Sequence, residues 1–162
     1  MIHHVSIPAR EPRHVAEVLA ELMGGRCYPF GPLAGAFMAV TGDSHGSMIE
    51  VYPEASGLSP GASENAVKFV ENDRVPRTWP FHLLLSVRLD QGAIERIGER
   101  EGWRTKRFGR GMPGQKPFFD VIEFWVENWL MIEVVSQEMA RDYEEFLQIS
   151  RLDAMMAAHR PQ

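Results

Sequence analysis

The chain has 162 residues with a formal net charge of −5, which suffices for one ordinary domain with its own core. This acidic balance argues against nucleic acid or an anionic membrane as partner, so we expect a small-molecule ligand. The single cysteine, Cys27, excludes an internal disulfide, and no basic-then-apolar leader opens the chain. No apolar run approaches the roughly 20 residues of a membrane span. We therefore expect a soluble, cytoplasmic protein.

The first 52 residues predict a strand, a helix and a hairpin, in that order. Residues 3–9 alternate as a strand does, with Val5 and Ile7 on one face. Pro12 suits the first turn of a helix, whose apolar positions repeat at helical spacing until Gly24 and Gly25 end it. Two short apolar runs then flank a cluster of turn-forming residues at 42–46, which predicts a hairpin.

Residues 79–136 repeat this order. A strand is predicted at 81–88, followed by a helix that Asp90 caps and Gly102 ends. Three further strands are predicted at 103–108, 118–126 and 129–135. We therefore expect a single domain built from two modules, residues 1–52 and residues 79–136.

Two segments lie outside these modules. Residues 53–78 are rich in Pro, Gly, Ser and Asn and show little periodicity, so we interpret them as a linker with at most a short turn of structure. Residues 137–159 predict an amphipathic C-terminal helix capped by Ser136. This helix would pack on the domain or on a second subunit, and we expect a homodimer.

Self-similarity supports the division into two modules. The tetrapeptide Met-Ile-Glu-Val occurs at 48–51 and again at 131–134, a shift of 83 positions. A shift of 78 positions superposes six earlier identities, namely His4 on His82, Arg10 on Arg88, Glu17 on Glu95, Glu21 on Glu99, Gly24 on Gly102 and Arg26 on Arg104. One small insertion reconciles the two shifts, so an ancient duplication explains the pattern.

Two histidines and two glutamates occupy equivalent positions in the modules. Side chains alternate between the two faces of a strand. The apolar neighbours of the four polar residues are expected to lie under the helices, so the polar side chains should face the opposite, concave side; the four are His4, His82, Glu50 and Glu133. Taken singly, each is more often a rim residue than a ligand. Together they predict a divalent cation between two carboxylates, with Zn, Ni, Co, Mn or Fe as candidates.

These motifs resemble the vicinal oxygen chelate superfamily, which includes glyoxalase I, methylmalonyl-CoA epimerase, extradiol dioxygenases and the bleomycin resistance proteins. The resemblance rests on the strand opened by His4, the repeated scheme, and the residues at 43–50, which stand in place of Asp-Pro-Asp-Gly-Asn-x-Ile-Glu. It implies an α+β fold of paired βαβββ modules that form a cupped mixed sheet, here with an added C-terminal helix. It also implies that His4, Glu50, His82 and Glu133 bind the metal.

The resemblance further implies proton transfer through a metal-chelated enediolate, in a lyase or isomerase of the glyoxalase or epimerase type. Glu133 would move the proton and Glu50 would be its partner. An extradiol-type dioxygenase, which would bind iron through two histidines and one carboxylate, is an alternative. A protein that sequesters an antibiotic or metabolite without turnover is the alternative from a different class.

Three further residues are candidates for substrate binding. A two-residue turn in the last hairpin would place Ile122 opposite Glu133, whereas a three-residue turn would place Glu123 there. The longer turn keeps Ile122 with the apolar side chains of the helix face, so we favour it and expect Glu123 and Trp125 to line the cup. Arg110 lies in a Gly- and Pro-rich segment at 108–117, which we interpret either as a lid that grips an acidic substrate group or as a solvated hairpin tip.

Overall fold

The computed structural model describes residues 2–112 and 114–158. They form two compact units, one comprising the chain up to Phe81 together with Val126–Leu130, the other comprising His82–Trp125 and the residues from Met131 onward. Each unit combines a mixed four-stranded sheet with helices, which confirms the predicted α+β class. Within the described residues, no helix has the length and apolar character needed to cross a membrane.

The first unit contains one helix and six strands. They are β1 (His4–Ala9), α1 (Pro12–Met23), β2 (Arg26–Pro29), β3 (Phe37–Val40), β4 (Met48–Pro53), β5 (Ser56–Ser59) and β6 (Lys68–Glu71). The main sheet has the order β1-β4-β3-β2, with β1 parallel to β4 and the other pairs antiparallel. Ser6 is in register with Glu50, and His4 is in register with Met48.

The second unit repeats this arrangement. Its elements are β7 (Leu83–Ser86), α2 (Gln91–Glu101), β8 (Thr105–Arg110), β9 (Phe119–Val126), β10 (Leu130–Val135), α3 (Gln137–Phe146) and α4 (Ile149–Ala158). The sheet has the order β7-β10-β9-β8, and β7 runs parallel to β10. Leu84 is in register with Glu133, as Ser6 is with Glu50 in the first unit.

Each unit buries one face of its sheet. Fully or almost fully buried positions in the first unit include Val15, Leu19 and Leu22 of α1 and Ile7, Ala39, Ile49 and Val51 of the strands. The corresponding set in the second unit includes Ile94 of α2 and Ile122, Phe124, Ile132 and Val134 of the strands. Burial of these side chains fixes the strand faces, because a slip of one residue would turn every one of them to the other side.

The helix ends form as the sequence predicts. Asp90 accepts a hydrogen bond from the backbone N–H of Ala93 at 2.7 Å, and Ser136 accepts one from Met139 at 3.4 Å. Gly24 and Gly102 end α1 and α2 in the left-handed conformation, with φ of 65° and 66°. Gly98 within α2 allows a close approach to β8, because a Cβ atom there would lie 2.6 Å from the Cβ of Thr105.

The segment predicted as a linker contains a β-hairpin. Strands β5 and β6 pair antiparallel, so residues 53–78 are more ordered than we expected. Phe69 of β6 packs against Tyr52 with ring centroids 5.6 Å apart, and this contact supplies the apolar anchor that the composition of the segment does not suggest.

The predicted C-terminal helix is two helices. Helix α3 ends at Phe146, and Leu147 (φ −84°, ψ 10°) and Gln148 precede α4, which ends at Ala158; residue 159 lies outside the described residues. Phe146 stacks on Phe118 at 4.5 Å and also contacts Phe119, which holds the last turn of α3 against the sheet. Tertiary packing therefore outweighs the continuous helical pattern.

Two strand boundaries differ from the prediction in ways that matter for the site. Strand β7 begins at Leu83, so His82 immediately precedes the strand instead of lying within it. Strand β8 extends to Arg110, which pairs with Phe119. The prediction that placed Arg110 in a loop tip is therefore wrong, because pairing with β9 carries the strand through it.

The tip of the β9–β10 hairpin belongs to the first unit. Three residues separate the strands, Glu127 and Asn128 have φ of 51° and 55°, and Trp129 donates its backbone N–H to Val126 at 3.0 Å. The carboxylate of Glu127 accepts the backbone N–H groups of Arg10 and Glu11, each at 2.8 Å. These two hydrogen bonds satisfy backbone donors at the start of α1, where the side chain of the N-cap residue Glu11 makes no capping hydrogen bond.

Candidate functional site

The open face of the second sheet, opposite α2, carries a buried carboxylate held by an arginine. Glu133 on β10 is only 8% exposed. Its Oε1 accepts two hydrogen bonds from Arg110, from Nε at 2.8 Å and from Nη2 at 2.6 Å. Its Oε2 lies 4.0 Å from Nε2 of His82. One oxygen of Glu133 is therefore fixed, while the other faces an imidazole.

Glu123 on β9 extends this cluster. Its Oε1 accepts a hydrogen bond from Nη2 of Arg110 at 3.0 Å, and its Oε2 accepts one from Nε1 of Trp125 at 3.2 Å. Nη1 of Arg104 lies 3.8 Å from the same Oε2. In the strand order β7-β10-β9-β8, Arg110 of β8 reaches both Glu123 of β9 and Glu133 of β10, so the two carboxylates share one guanidinium; these three side chains and Arg104 form the polar row.

This row agrees with the longer hairpin turn favoured from the sequence. Glu123 and Glu133 share one guanidinium and therefore lie on one face, whereas Ile122 and Phe124 are fully buried. Burial disfavours the charged form of Arg110, but the hydrogen bonds that Arg110 donates to Glu133 and Glu123 outweigh that effect and raise its pKa above the ordinary value. Arg110 is thus a permanent cation between two carboxylates.

The open face of the first sheet carries the equivalent carboxylate with different partners. Glu50 on β4 is 6% exposed. Its Oε2 accepts hydrogen bonds from Ser6 Oγ at 2.8 Å and from the Tyr52 hydroxyl at 2.5 Å. Burial raises the pKa of Tyr52, and the hydrogen bond to Glu50 raises it further, so the phenol is the donor over a wide pH range.

The two histidines are less constrained than the glutamates. His4 is exposed at the start of β1, two residues before the serine that contacts Glu50. The side chain of His82 is about half exposed and has Glu133 as its carboxylate neighbour. The second unit thus brings His82 and Glu133 together. Convergence of His4, Glu50, His82 and Glu133 on one cation stays a prediction.

The arrangement around Glu133 meets the needs of a divalent ion only in part. Nitrogen and carboxylate oxygen donors suit a Zn-like ion, but two donors about 2.0–2.2 Å from one tetrahedral ion lie about 3.3–3.6 Å apart, whereas His82 Nε2 and Glu133 Oε2 are 4.0 Å apart. Across residues 2–112 and 114–158, no group of three or more His, Cys, Asp and Glu side chains is arranged to hold a metal. The pair would therefore have to move closer together, and further ligands would be needed to complete the shell.

Sequence reasoning missed the partners of both carboxylates. Ser6 lies two residues after His4, and Tyr52 lies two residues after Glu50, so each shares a strand face with a predicted ligand. This period-two spacing was the signal available in the sequence. Arg104 was also missed as a partner, although its guanidinium approaches Glu123 and lies 5.9 Å from the ring centroid of Trp125.

Two cavities of about 440 and 500 Å³ lie elsewhere in the second unit. The first is lined by the beginnings of α2 and α3, including Asp90 and Ser136. The second is lined by Phe118, Phe119 and residues of α3 and α4. Neither is lined by Arg110 or Glu133, so the polar row lies outside both of these cavities.

Comparison with known proteins supports the fold. No protein-family model matches the sequence, and no curated protein sequence matches it. An integron cassette protein from the mobile metagenome of V. cholerae is 14% identical, with a TM-score of 0.51 over 85% of this chain and 94% of that chain.

Two further similar structures carry functional names. A glyoxalase/bleomycin resistance protein/dioxygenase from Alicyclobacillus acidocaldarius is 12% identical, with a TM-score of 0.45 over 88% of this chain and 95% of its own. A glyoxylase/bleomycin resistance protein/dioxygenase domain from Frankia sp. EAN1pec is 14% identical, with a TM-score of 0.47 over 83% and 94%. At an identity of 14%, the likeness to the integron cassette protein concerns the fold alone.

Proposed function

We propose that this chain, with its paired units of the vicinal oxygen chelate type, is a metal-dependent lyase or isomerase that transfers a proton on a small molecule with two adjacent oxygens. One observation carries the proposal. Glu133 is buried, is fixed through Oε1 by Arg110, and keeps Oε2 beside His82 without a hydrogen bond among the described residues.

A fixed carboxylate with one available oxygen suits a general base. Glu133 would accept a proton from the carbon beside a substrate carbonyl, breaking the C–H bond and leaving the electron pair on the substrate as an enolate. The same carboxyl group would return the proton to the substrate. Arg110 orients Glu133 during both transfers, because two N–H groups of one planar guanidinium hold Oε1.

His82 and Glu133 of the second unit would hold the divalent ion, and binding by His4 and Glu50 stays the expectation from the sequence. Because Arg110 occupies Oε1, Glu133 would have to release the ion from Oε2 when that oxygen accepts the proton. When bound, the ion supplies Lewis-acid stabilisation of the oxygen that becomes negative, worth several kcal/mol. Glu123 and Trp125 would contact the substrate, because they share the open face with Glu133.

Deuterium incorporation tests this proposal without a known natural substrate. A panel of small hydroxy- and oxo-carbonyl compounds with adjacent oxygens is incubated with the protein in D₂O, with Zn, Ni, Co or Mn added, and exchange beside the carbonyl is followed by NMR. Glu133→Gln should reduce exchange by about 10²- to 10⁴-fold, the usual contribution of a general base. Glu71→Gln, an exposed carboxylate on β6, is the matched control. Exchange retained in Glu133→Gln would reject the role.

A protein that sequesters its ligand without turnover is the second candidate, and one observation favours it. Arg110 and Arg104 together balance the charges of Glu133 and Glu123, so the cluster is electrostatically satisfied without an added cation. Metal analysis after dialysis separates the candidates. A metal-free protein that binds a ligand but exchanges no deuterium supports sequestration, whereas bound iron with oxygen uptake would favour the dioxygenase that the resemblance also allows.

A further inference from the structure

The open face of the first sheet carries a buried carboxylate that has only neutral partners. Glu50 is 6% exposed, and its Oε2 accepts hydrogen bonds from two hydroxyl groups, those of Ser6 at 2.8 Å and Tyr52 at 2.5 Å. Among residues 2–112 and 114–158, no Lys, Arg or His forms an ion pair with it. A glutamate is rarely buried without a partner of opposite charge, so this carboxylate suits a cation from outside the chain.

The equivalent residue of the second module has a cation of its own. Glu133 is similarly buried, but two N–H groups of Arg110 hold it. The first unit keeps the buried carboxylate and has neutral hydroxyl groups in place of the guanidinium. A ligand can therefore supply the positive charge that Arg110 supplies in the second unit.

One oxygen of Glu50 is open to such a ligand. No hydrogen bond from the described residues reaches Oε1, whereas Oε2 accepts two. In the same part of the chain, the buried side-chain nitrogens and oxygens without a hydrogen bond are Nε1 of Trp79 and Nε1 of Trp129. Glu50 Oε1 is not one of them, so it keeps contact with the solvent although the residue as a whole is buried.

The positions around Glu50 on this face are uncharged. Its partners in register on the neighbouring strands are Ser6 on β1 and Met38 on β3. Along β4, the nearest residues that point the same way are Met48 and Tyr52, because alternate residues of a strand share a face. The carboxylate is thus a single negative charge within a mostly apolar patch.

An aromatic cluster adjoins the carboxylate. The ring of Tyr52, whose hydroxyl donates to Glu50, lies 5.5 Å from that of Phe30 and 5.6 Å from that of Phe69. Phe30 and Phe69 are both half-buried, so part of each ring faces the solvent. Aromatic ring faces attract ammonium groups, and they offer an apolar surface to the hydrocarbon part of a ligand.

We propose that the open face of the first sheet binds an organic ammonium ion, whose N–H group donates to Glu50 Oε1 and whose apolar body lies against the aromatic cluster. An organic cation fits this place better than a metal ion. Among the described residues, Glu50 belongs to no group of three or more His, Cys, Asp and Glu side chains arranged to hold a metal. The inference does not depend on the proton transfer proposed for Glu133.

Two probes of similar shape test the inference at pH 7. They are 2-phenylethylammonium, a cation, and 2-phenylethanol, which keeps the aromatic body and one hydrogen-bond donor but has no charge. Dissociation constants are measured by NMR chemical-shift titration of the full chain, for the wild type, Glu50→Gln and Glu71→Gln. Glu71 is an exposed residue of β6 in the same unit, so its variant is the matched control for the loss of one negative charge. Thermal unfolding checks that both variants are folded.

We expect the wild type to bind the ammonium probe about 10- to 100-fold more tightly than the alcohol, which is the contribution of a hydrogen bond between charged groups. The largest amide shifts should lie on β1 and β4. Glu50→Gln should abolish the preference, whereas Glu71→Gln should keep it.

Equal affinity of the wild type for the two probes would overturn the inference, and this comparison decides even if Glu50→Gln does not fold. A preference that survives in Glu50→Gln would also overturn it. The same holds if the wild type binds Zn²⁺ and Glu50→Gln does not, because Glu50 would then be a metal ligand.

Discussion

Replacing Arg110 with Met removes the cation that Glu123 and Glu133 share, while keeping much of the aliphatic stem of the side chain. The side chains of Glu133 and Glu123 are only 11% and 16% exposed, and that of Arg110 is 29% exposed. Removing one partner of a fully buried ion pair costs about 3–5 kcal/mol. Partial exposure of Arg110 lowers our expectation to about 2–3 kcal/mol, because water can screen the remaining carboxylates.

Arg107→Met is the matched control. Arg107 lies on the same strand and binds Asp120, but its side chain is 48% exposed and that of Asp120 is 32% exposed. Its replacement should therefore cost at most about 1 kcal/mol. In a domain of this size, each kcal/mol lowers the melting temperature by about 2–4 °C. We expect about 4–12 °C for Arg110→Met and no more than about 4 °C for Arg107→Met.

Denaturant titration followed by tryptophan fluorescence gives the free energy of unfolding for both variants. Adding Glu123→Gln to Arg110→Met should recover part of the loss, because one of the two neighbouring carboxylates that lose their shared guanidinium becomes neutral. The reasoning is refuted if Arg110→Met costs no more than Arg107→Met, or if the double variant shows simple additivity.

Two other predictions need no ligand. Gly98→Ala should lower the free energy of unfolding by about 1–3 kcal/mol, because the new Cβ would meet the Cβ of Thr105 at 2.6 Å. At Gly92, in the first turn of α2, a new Cβ would meet the flexible end of Arg96 at 3.2 Å and the Asp90 carboxylate at the ordinary contact distance of 3.5 Å, so Gly92→Ala should cost less; thermal unfolding of both variants checks this. Asp43→Asn tests how the stability depends on pH, because hydrogen bonds from Ser47 hold the pKa of Asp43 well below its usual range. The Asp43 carboxylate therefore contributes stability that is fully present at pH values above the unfolded pKa of about 3.9. As the pH falls below that value, the melting temperatures of the wild type and of Asp43→Asn should converge. A difference that stays constant with pH would contradict the assignment.

The sequence predicts those features that local patterns control. Alternation of Val and Ile around Glu50 and Glu133 predicts their strand faces, because burial of the apolar neighbours leaves one orientation. Asp90 and Gly102 predict the ends of α2 for similarly local reasons.

The remaining features depend on contacts between distant segments. The bonds from Arg110 to Glu123 and Glu133 span 13 and 23 positions and require the register of three strands. The hydroxyl of Ser6 meets Glu50 across 44 positions. The β5–β6 hairpin was missed because Phe69 is its anchor and its partner ring, Tyr52, lies on another strand. No periodicity within a short window carries this information.

The role of Glu127 has a consequence for the history of the molecule. Its carboxylate completes the start of α1, although it lies 116 positions further along the chain. A fragment that contained only the first module would lose that acceptor and leave the two backbone N–H groups just before α1 to the solvent. The copies produced by the ancestral duplication have therefore ceased to be interchangeable parts, because the first half depends on the second for a partner at the start of its helix.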